Sequence, residues 1–205
     1  MPATRFNPLP GFGLTMGYTL VYVGVIVVLP LAALLVRTLD LTPADFWRLA
    51  TDPRAMASYR LTFGASLAAA GVNALFGTLL AWVLARYRFP GRGLVDALVD
   101  FPFALPTAVA GLTLADLFAA EGWLGRGLAM AGIQVAFTPL GVMVALTFVG
   151  LPFVVRTLQP VIEGFDRELE EAAATLGAGR WRTFRSVVAP TLLPAVLTGF
   201  ALALA

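Results

Sequence analysis

Apolar residues along this chain come in five long runs, divided by short polar stretches. Residues 16–36 form the first, 21 positions without a charge, enough for a helix of about 30 Å at 1.5 Å per residue. Residues 63–84, 101–120, 136–155 and 187–205 follow. Such length predicts membrane-spanning helices, not the alternating pattern of strands. The first run exceeds the roughly 7–15 apolar residues of a cleavable signal peptide and reads as an uncleaved signal anchor. The second is rich in Gly and Ala, as helices packed on helices in lipid tend to be. The third carries Asp116 and is interrupted by Pro102 and Pro106; the fourth contains Pro139 and Pro152.

The polar stretches complete the outline. Residues 1–15, with three Pro and two Gly, read as a flexible lead-in to a transmembrane domain over 16–205. Between the first two runs, "LTPADFWRLA" predicts a short helix with Thr42 as N-cap and Pro43 at its first position. After the second run, Arg86, Arg88 and Arg92 surround a Pro-Gly turn. Arg92, Asp96 and Asp100 then recur every four residues, the look of a wetted face on a helix entering from the interface. Residues 121–135 are a Gly-rich loop with Trp123 as interface anchor. Residues 163–186 form a charged island between the fourth and fifth runs, and the last run stops at Ala205 with no polar flank. That ending predicts a C-terminally truncated chain whose sixth helix is lost.

Orientation follows from Arg in the short loops. Three lie in the 86–92 hairpin and four (Arg167, Arg180, Arg182, Arg185) in the island, against Arg126 alone in 121–135. The long first loop, with Arg37, Arg48, Arg54 and Arg60, blunts the contrast. The rule that positive loops stay inside places the N-terminus and the island in the cytoplasm of a multi-pass membrane protein.

Composition agrees and removes several chemistries. Hydrophobic residues make up 59% and charged residues 13%, against about 25% charged in soluble domains. All 14 basic residues are Arg; Lys, His and Cys are absent. That excludes His-based triads, thiolate or His-rich metal sites, Schiff bases and a Walker-type lysine. No catalytic residue, metal or cofactor is expected. No basic cluster carries the interleaved aromatics that stack on bases, so nucleic acid is not an expected partner. The fold class is an all-α polytopic membrane protein with five spanning helices present and a short cytoplasmic helix between the fourth and fifth.

The island reads "ELEEAAATLGAGRWRTFRSVVAP" over 168–190. Glu163, Arg167 and Glu171 are spaced by four, helix formers run to Leu176, and Gly177 suits the left-handed position that ends a helix. A second helix restarts at "AGRWRTF", and Pro190 falls in the first turn of the next span. The pattern implies helix–Gly–helix across the membrane surface, with a smooth Ala patch that another protein could approach. Glu171, Ala172, Ala173, Gly177, Val187, Ala189 and Pro190 stand at the spacing of the coupling loop of binding-protein-dependent ABC importer permeases, which the segment resembles. Val187 and Ala189 depart mildly from the family's usual Ile and Leu. Longer stretches, covering about 61–205, resemble the T-type permease subunit of sulfate/thiosulfate importers, with molybdate and tungstate permeases as near relatives. The resemblance implies a loop docking on a separate ATPase. It also implies a second homologous permease subunit, two ATPase copies and a periplasmic binding protein around this chain, within membrane lipid.

Four residues are candidates for the translocation path. Pro102, Pro106 and Thr107 mark a broken helix whose freed N–H groups could meet an oxyanion. Arg156, at the cytoplasmic end of the fourth run, either snorkels to headgroups or pairs with Asp100 or attracts the exiting anion. Asp116 suits a structural or interfacial place better than the path of a dianion. From another class, an ion-gradient-driven secondary transporter would use intramembrane ionisable groups, of which the chain offers chiefly Asp116 and Arg156.

Overall fold

The computed structural model describes residues 11–205, and among them every regular element is helical. Two compact units divide the chain, 1–57 and 58–205.

In the first unit, α1 (Phe12–Leu39) is a 28-residue helix. The expected lead-in over 1–15 is therefore revised: residues 12–15 already form the first turn of α1, and residues 1–10 lie outside the described residues. Inside α1, Gly24–Val28 opens into a wider turn, with Leu29 N–H bonding to Gly24 O. Pro30 follows directly. A helical proline has no N–H, and its ring crowds the carbonyl four residues back; one extra residue in the turn relieves both problems. The short helix α2 (Pro43–Ala50) is capped by Thr42, whose hydroxyl accepts from Asp45 N–H at 3.2 Å and donates to Asp45 Oδ2 at 2.6 Å.

The helix α3 (Pro53–Arg86) starts in the first unit and runs 34 residues. The second unit continues with α4 (Arg92–Ala104), α5 (Thr107–Leu117), the short α6 (Gly125–Met130), α7 (Pro139–Glu163), α8 (Arg167–Thr175) and α9 (Arg180–Leu204). Its buried centre is built on α7: Val154, Val155, Leu158 and Ile162 meet Ala81 and Leu84 of α3, Val99 of α4, and Val188 and Leu192 of α9. Close approach at Val154 depends on two glycines. A Cβ on Gly77 would come within 2.8 Å of Val154 Cγ1, and one on Gly199 within 3.0 Å of Val154 Cα. Lipid drives helix association through contact, not water exclusion, so small residues belong there.

Two expectations are corrected. The third run does not begin as a helix at residue 101: its first helix starts at Arg92, and the expected interruption is a sharp break between two helices. The chain turns by 113° between α4 and α5, at Leu105–Pro106, while Pro102 is carried inside α4. Leu105 is extended (φ −93°, ψ 134°) because a residue before proline is pushed out of the helical region. The fifth span begins at Arg180 and not at residue 187, so the expected second surface helix and the span are one 25-residue helix. Among the described residues four helices are long and apolar enough to cross a membrane, or five if α4 and α5 together form one crossing.

Candidate functional site

The island folds as a short helix whose own sequence closes both ends. At the start of α8, Asp166 Oδ1 accepts from Glu168 N–H at 2.9 Å, and Glu168 and Glu170 bring negative charge to the positive end of the helix dipole. At the far end Gly177 takes φ 80°. Its N–H bonds to Ala174 O and that of Ala178 to Ala173 O, both at 3.0 Å, the paired bonds of a left-handed helix stop. Glu171 and Ala172 are exposed and Ala173 is half-buried. Leu169 and Leu176 flank the Ala pair at helical spacing, and Leu176 is 88% exposed. An apolar stripe on an otherwise acidic helix is thus open to a partner.

Val187, Ala189 and Pro190 are not part of that surface. They belong to α9, where Phe184–Val188 forms a wide turn with Ala189 N–H bonding to Phe184 O. Pro190 therefore lies well inside a continuous helix and not in its first turn. The wide turn absorbs it, as in α1, and Val187 packs against the core.

Beneath α8 lies a cleft of about 250 Å³, lined by Trp82 of α3, Glu170 and Ala174 of α8, and Arg180, Thr183 and Phe184 of α9. One ion pair crosses beside it. Arg86 Nη2 donates to Glu170 Oε1 at 2.6 Å, with the guanidinium 5.0 Å from the Trp82 ring centre and 5.5 Å from that of Phe165. Sequence reasoning used Arg86 only as a topological charge. A pair 84 residues apart leaves no spacing signal, though Trp82 one turn before Arg86 is a local hint of a stacked cation.

A second polar cluster joins α4 to α7. Arg156 Nε and Nη2 donate to the two carboxylate oxygens of Asp100 at 2.8 and 2.7 Å. Nη1 donates to Asp96 Oδ1 and Gln159 Oε1, both at 2.7 Å, and Nη2 also to the Asp96 carbonyl at 3.0 Å. A guanidinium has five N–H donors, and all five are committed. In this arrangement Arg156 has no donor left over, and it clamps α4 to α7. Arg92 and Glu163 extend the seam at 3.8 Å. Phe103 and Phe153 meet edge to face at 5.1 Å beside it.

The remaining path candidates lie at the α4–α5 break. Pro102 is half-buried in α4, Pro106 and Thr107 are exposed, and the first bond of α5 runs from Ala110 N–H to Pro106 O at 3.0 Å. The four path candidates do not converge on one constellation. Asp116 is exposed at the far end of α5. A cavity of about 470 Å³ lies among α5, the start of α7 and Leu61; Leu114, Phe118, Val135, Phe137 and Val142 line much of it, and its lining presents no cation.

A family described as the binding-protein-dependent transport system inner membrane component matches residues 74–205, which include both polar clusters and α8. Over 194 residues the chain is 52% identical to the sulfate transport system permease protein CysT of Escherichia coli, covering 95% of this chain and 70% of that protein. The protein of the same name from Synechocystis is 51% identical over 198 residues, covering 97% of this chain and 69% of the relative. That from Synechococcus elongatus is 48% identical over 192, covering 94% and 69%.

Proposed function

The chain belongs to the inner-membrane components of binding-protein-dependent transport systems, and we propose that it is the permease subunit of an ATP-driven importer of sulfate or thiosulfate. The likeness to sulfate permeases at about 52% identity supports the substrate. The observation that carries the mechanism is α8: a self-capped helix with an exposed Leu169–Ala172–Leu176 stripe, ion-paired to the end of a spanning helix. A separate ATPase dimer receives α8, and its closure on ATP moves the spanning helices between outward and inward access. Two ATPase copies, a second homologous permease subunit and a periplasmic binding protein complete the assembly. No bond of the substrate is made or broken.

Ion pairs support the topology. Arg86 meets Glu170, and Arg92 meets Glu163, so each pair lies on one side of the membrane. An even number of crossings must separate the partners. With α7 as one crossing, the bent α4–α5 unit is the other, a broken span and not a re-entrant loop. The Arg content of the 86–92 hairpin and the island puts that side in the cytoplasm.

Uptake of labelled sulfate by the complete complex in proteoliposomes, with the binding protein added outside, tests the substrate. Sulfate should accumulate and excess thiosulfate should suppress it. Accumulation of molybdate with no sulfate uptake would overturn the assignment.

A further inference from the structure

We infer that Arg86 is the positioning residue that seats α8 on the spanning helices, so that motion imposed on α8 reaches α3 through the Arg86–Glu170 pair. The inference rests on the reading of α8 as the ATPase-docking element.

Both ends of α8 are closed by local bonds, from Asp166 and across Gly177, so the helix is a self-contained unit. A cleft separates part of it from α3 and α9. None of its described side chains is fully buried, so specific links add to its seat. Arg86 supplies one at the very end of α3, with a side chain only 12% exposed. Trp82, one turn earlier on the same helix, has its ring centre 5.0 Å from the guanidinium carbon. Phe165, buried and directly before the cap residue Asp166, has its ring centre 5.5 Å from it. Glu170 then takes the charge at 2.6 Å, while Nε is buried with no hydrogen-bond partner among the described residues.

A cation this enclosed depends heavily on its carboxylate, because a buried charge without a partner is costly. A shift of Glu170 should therefore draw Arg86, and with it α3, along. The pair grips the N-terminal half of α8 and leaves the half carrying Leu176 exposed, so α8 works as a lever seated near one end. Contact with two rings favours the planar, weakly hydrated guanidinium over the compact ammonium of lysine. Covalently, α8 is connected to α7 and α9; the pair gives it a direct line to α3, which the backbone does not.

The test uses the full complex, with ATPase and binding protein, in proteoliposomes, measuring substrate imported per ATP hydrolysed. Glu170→Gln and Arg86→Gln should each lower that ratio at least fivefold while the ATPase still co-purifies. Arg86→Lys should fall between, and the double Gln variant should be no worse than the poorer single, as expected for two halves of one interaction. A ratio unchanged in Glu170→Gln, or strictly additive losses in the double variant, would overturn the inference. Should Arg86→Gln fail to insert, Glu170→Gln decides alone, since its site is a third exposed on a surface helix. A Leu176→Cys reporter separates the two levels: it should cross-link to the ATPase in the wild-type background and with Glu170→Gln alike. No cross-link in the wild-type background would overturn the docking reading itself, and this inference with it.

Discussion

Replacing Arg156 by Met removes the cation that binds Asp96 and Asp100 in the α4–α7 clamp while keeping most of the side-chain volume. Five hydrogen bonds to Asp96, Asp100 and Gln159 disappear. Hydrogen bonds to a charged group are each worth about 1.5–3 kcal/mol when protected. Here the side chains are 31% (Arg156), 40% (Asp96) and 50% (Asp100) exposed, and exposed ion pairs contribute only about 0.2–1 kcal/mol each. The lower range applies, and two such pairs with the amide and carbonyl contacts come to about 2 kcal/mol. Asp96 and Asp100, four residues apart on one helix, then repel without compensation, adding a few tenths of a kcal/mol. For a chain of this size about 1 kcal/mol moves the melting temperature by roughly 2–4 °C, so the solubilised complex should melt about 4–8 °C lower. Arg156→Lys, a point charge with three donors that cannot bind both oxygens of Asp100 side by side, should lose about half as much. The Arg156→Met/Asp100→Asn double variant should lose about 1 kcal/mol less than the sum of its singles. A melting temperature within 1 °C of wild type for Arg156→Met, or full additivity in the cycle, would refute the clamp.

Glu171→Lys and Gly177→Pro should leave the chain inserted but reduce substrate-stimulated ATP hydrolysis by the complex several-fold; Gly177 sits at φ 80°, which proline cannot adopt, and normal stimulation in both variants would contradict the coupling role. Cysteines placed singly at Gly91, Gly179 and Gly125, in a chain with none of its own, should fall into two labelling classes in intact cells. Gly91 and Gly179 should react only from the cytoplasm and Gly125 only from outside; external labelling at Gly179 would invert the topology.

Local chemistry was the most legible part of the sequence. Thr42 before Pro43, and Gly177 after a run of helix formers, specify helix ends within a few residues, and the structure places both at such ends. The long apolar runs mark helices for the same reason, since backbone groups in lipid must bond within their own segment. Interactions between distant segments left weaker traces. The four-residue spacing of Arg92, Asp96 and Asp100 showed a shared face, and Arg156 could be offered to Asp100 as one alternative, but nothing in the spacing showed that it would hold both Asp100 oxygens and Asp96 at once. Two prolines stand near one break, and only the fold decides that Pro106 makes it while Pro102 stays helical. Pro190 misled for a related reason. It suits a first turn, but a wide turn five residues long lets the helix begin at Arg180 instead. The Arg86–Glu170 contact depends on how a surface helix folds back on a span, which no local spacing records.

The central claim is that α8 couples this chain to ATP hydrolysis on another subunit. Proteoliposomes holding the complete complex and a fixed internal ATP supply test it most directly, with a protonophore and a sodium ionophore added together. Sulfate uptake should follow internal ATP and persist when the ion gradients collapse. Uptake that stops with the ionophores and ignores ATP would contradict the account and mark a gradient-driven carrier.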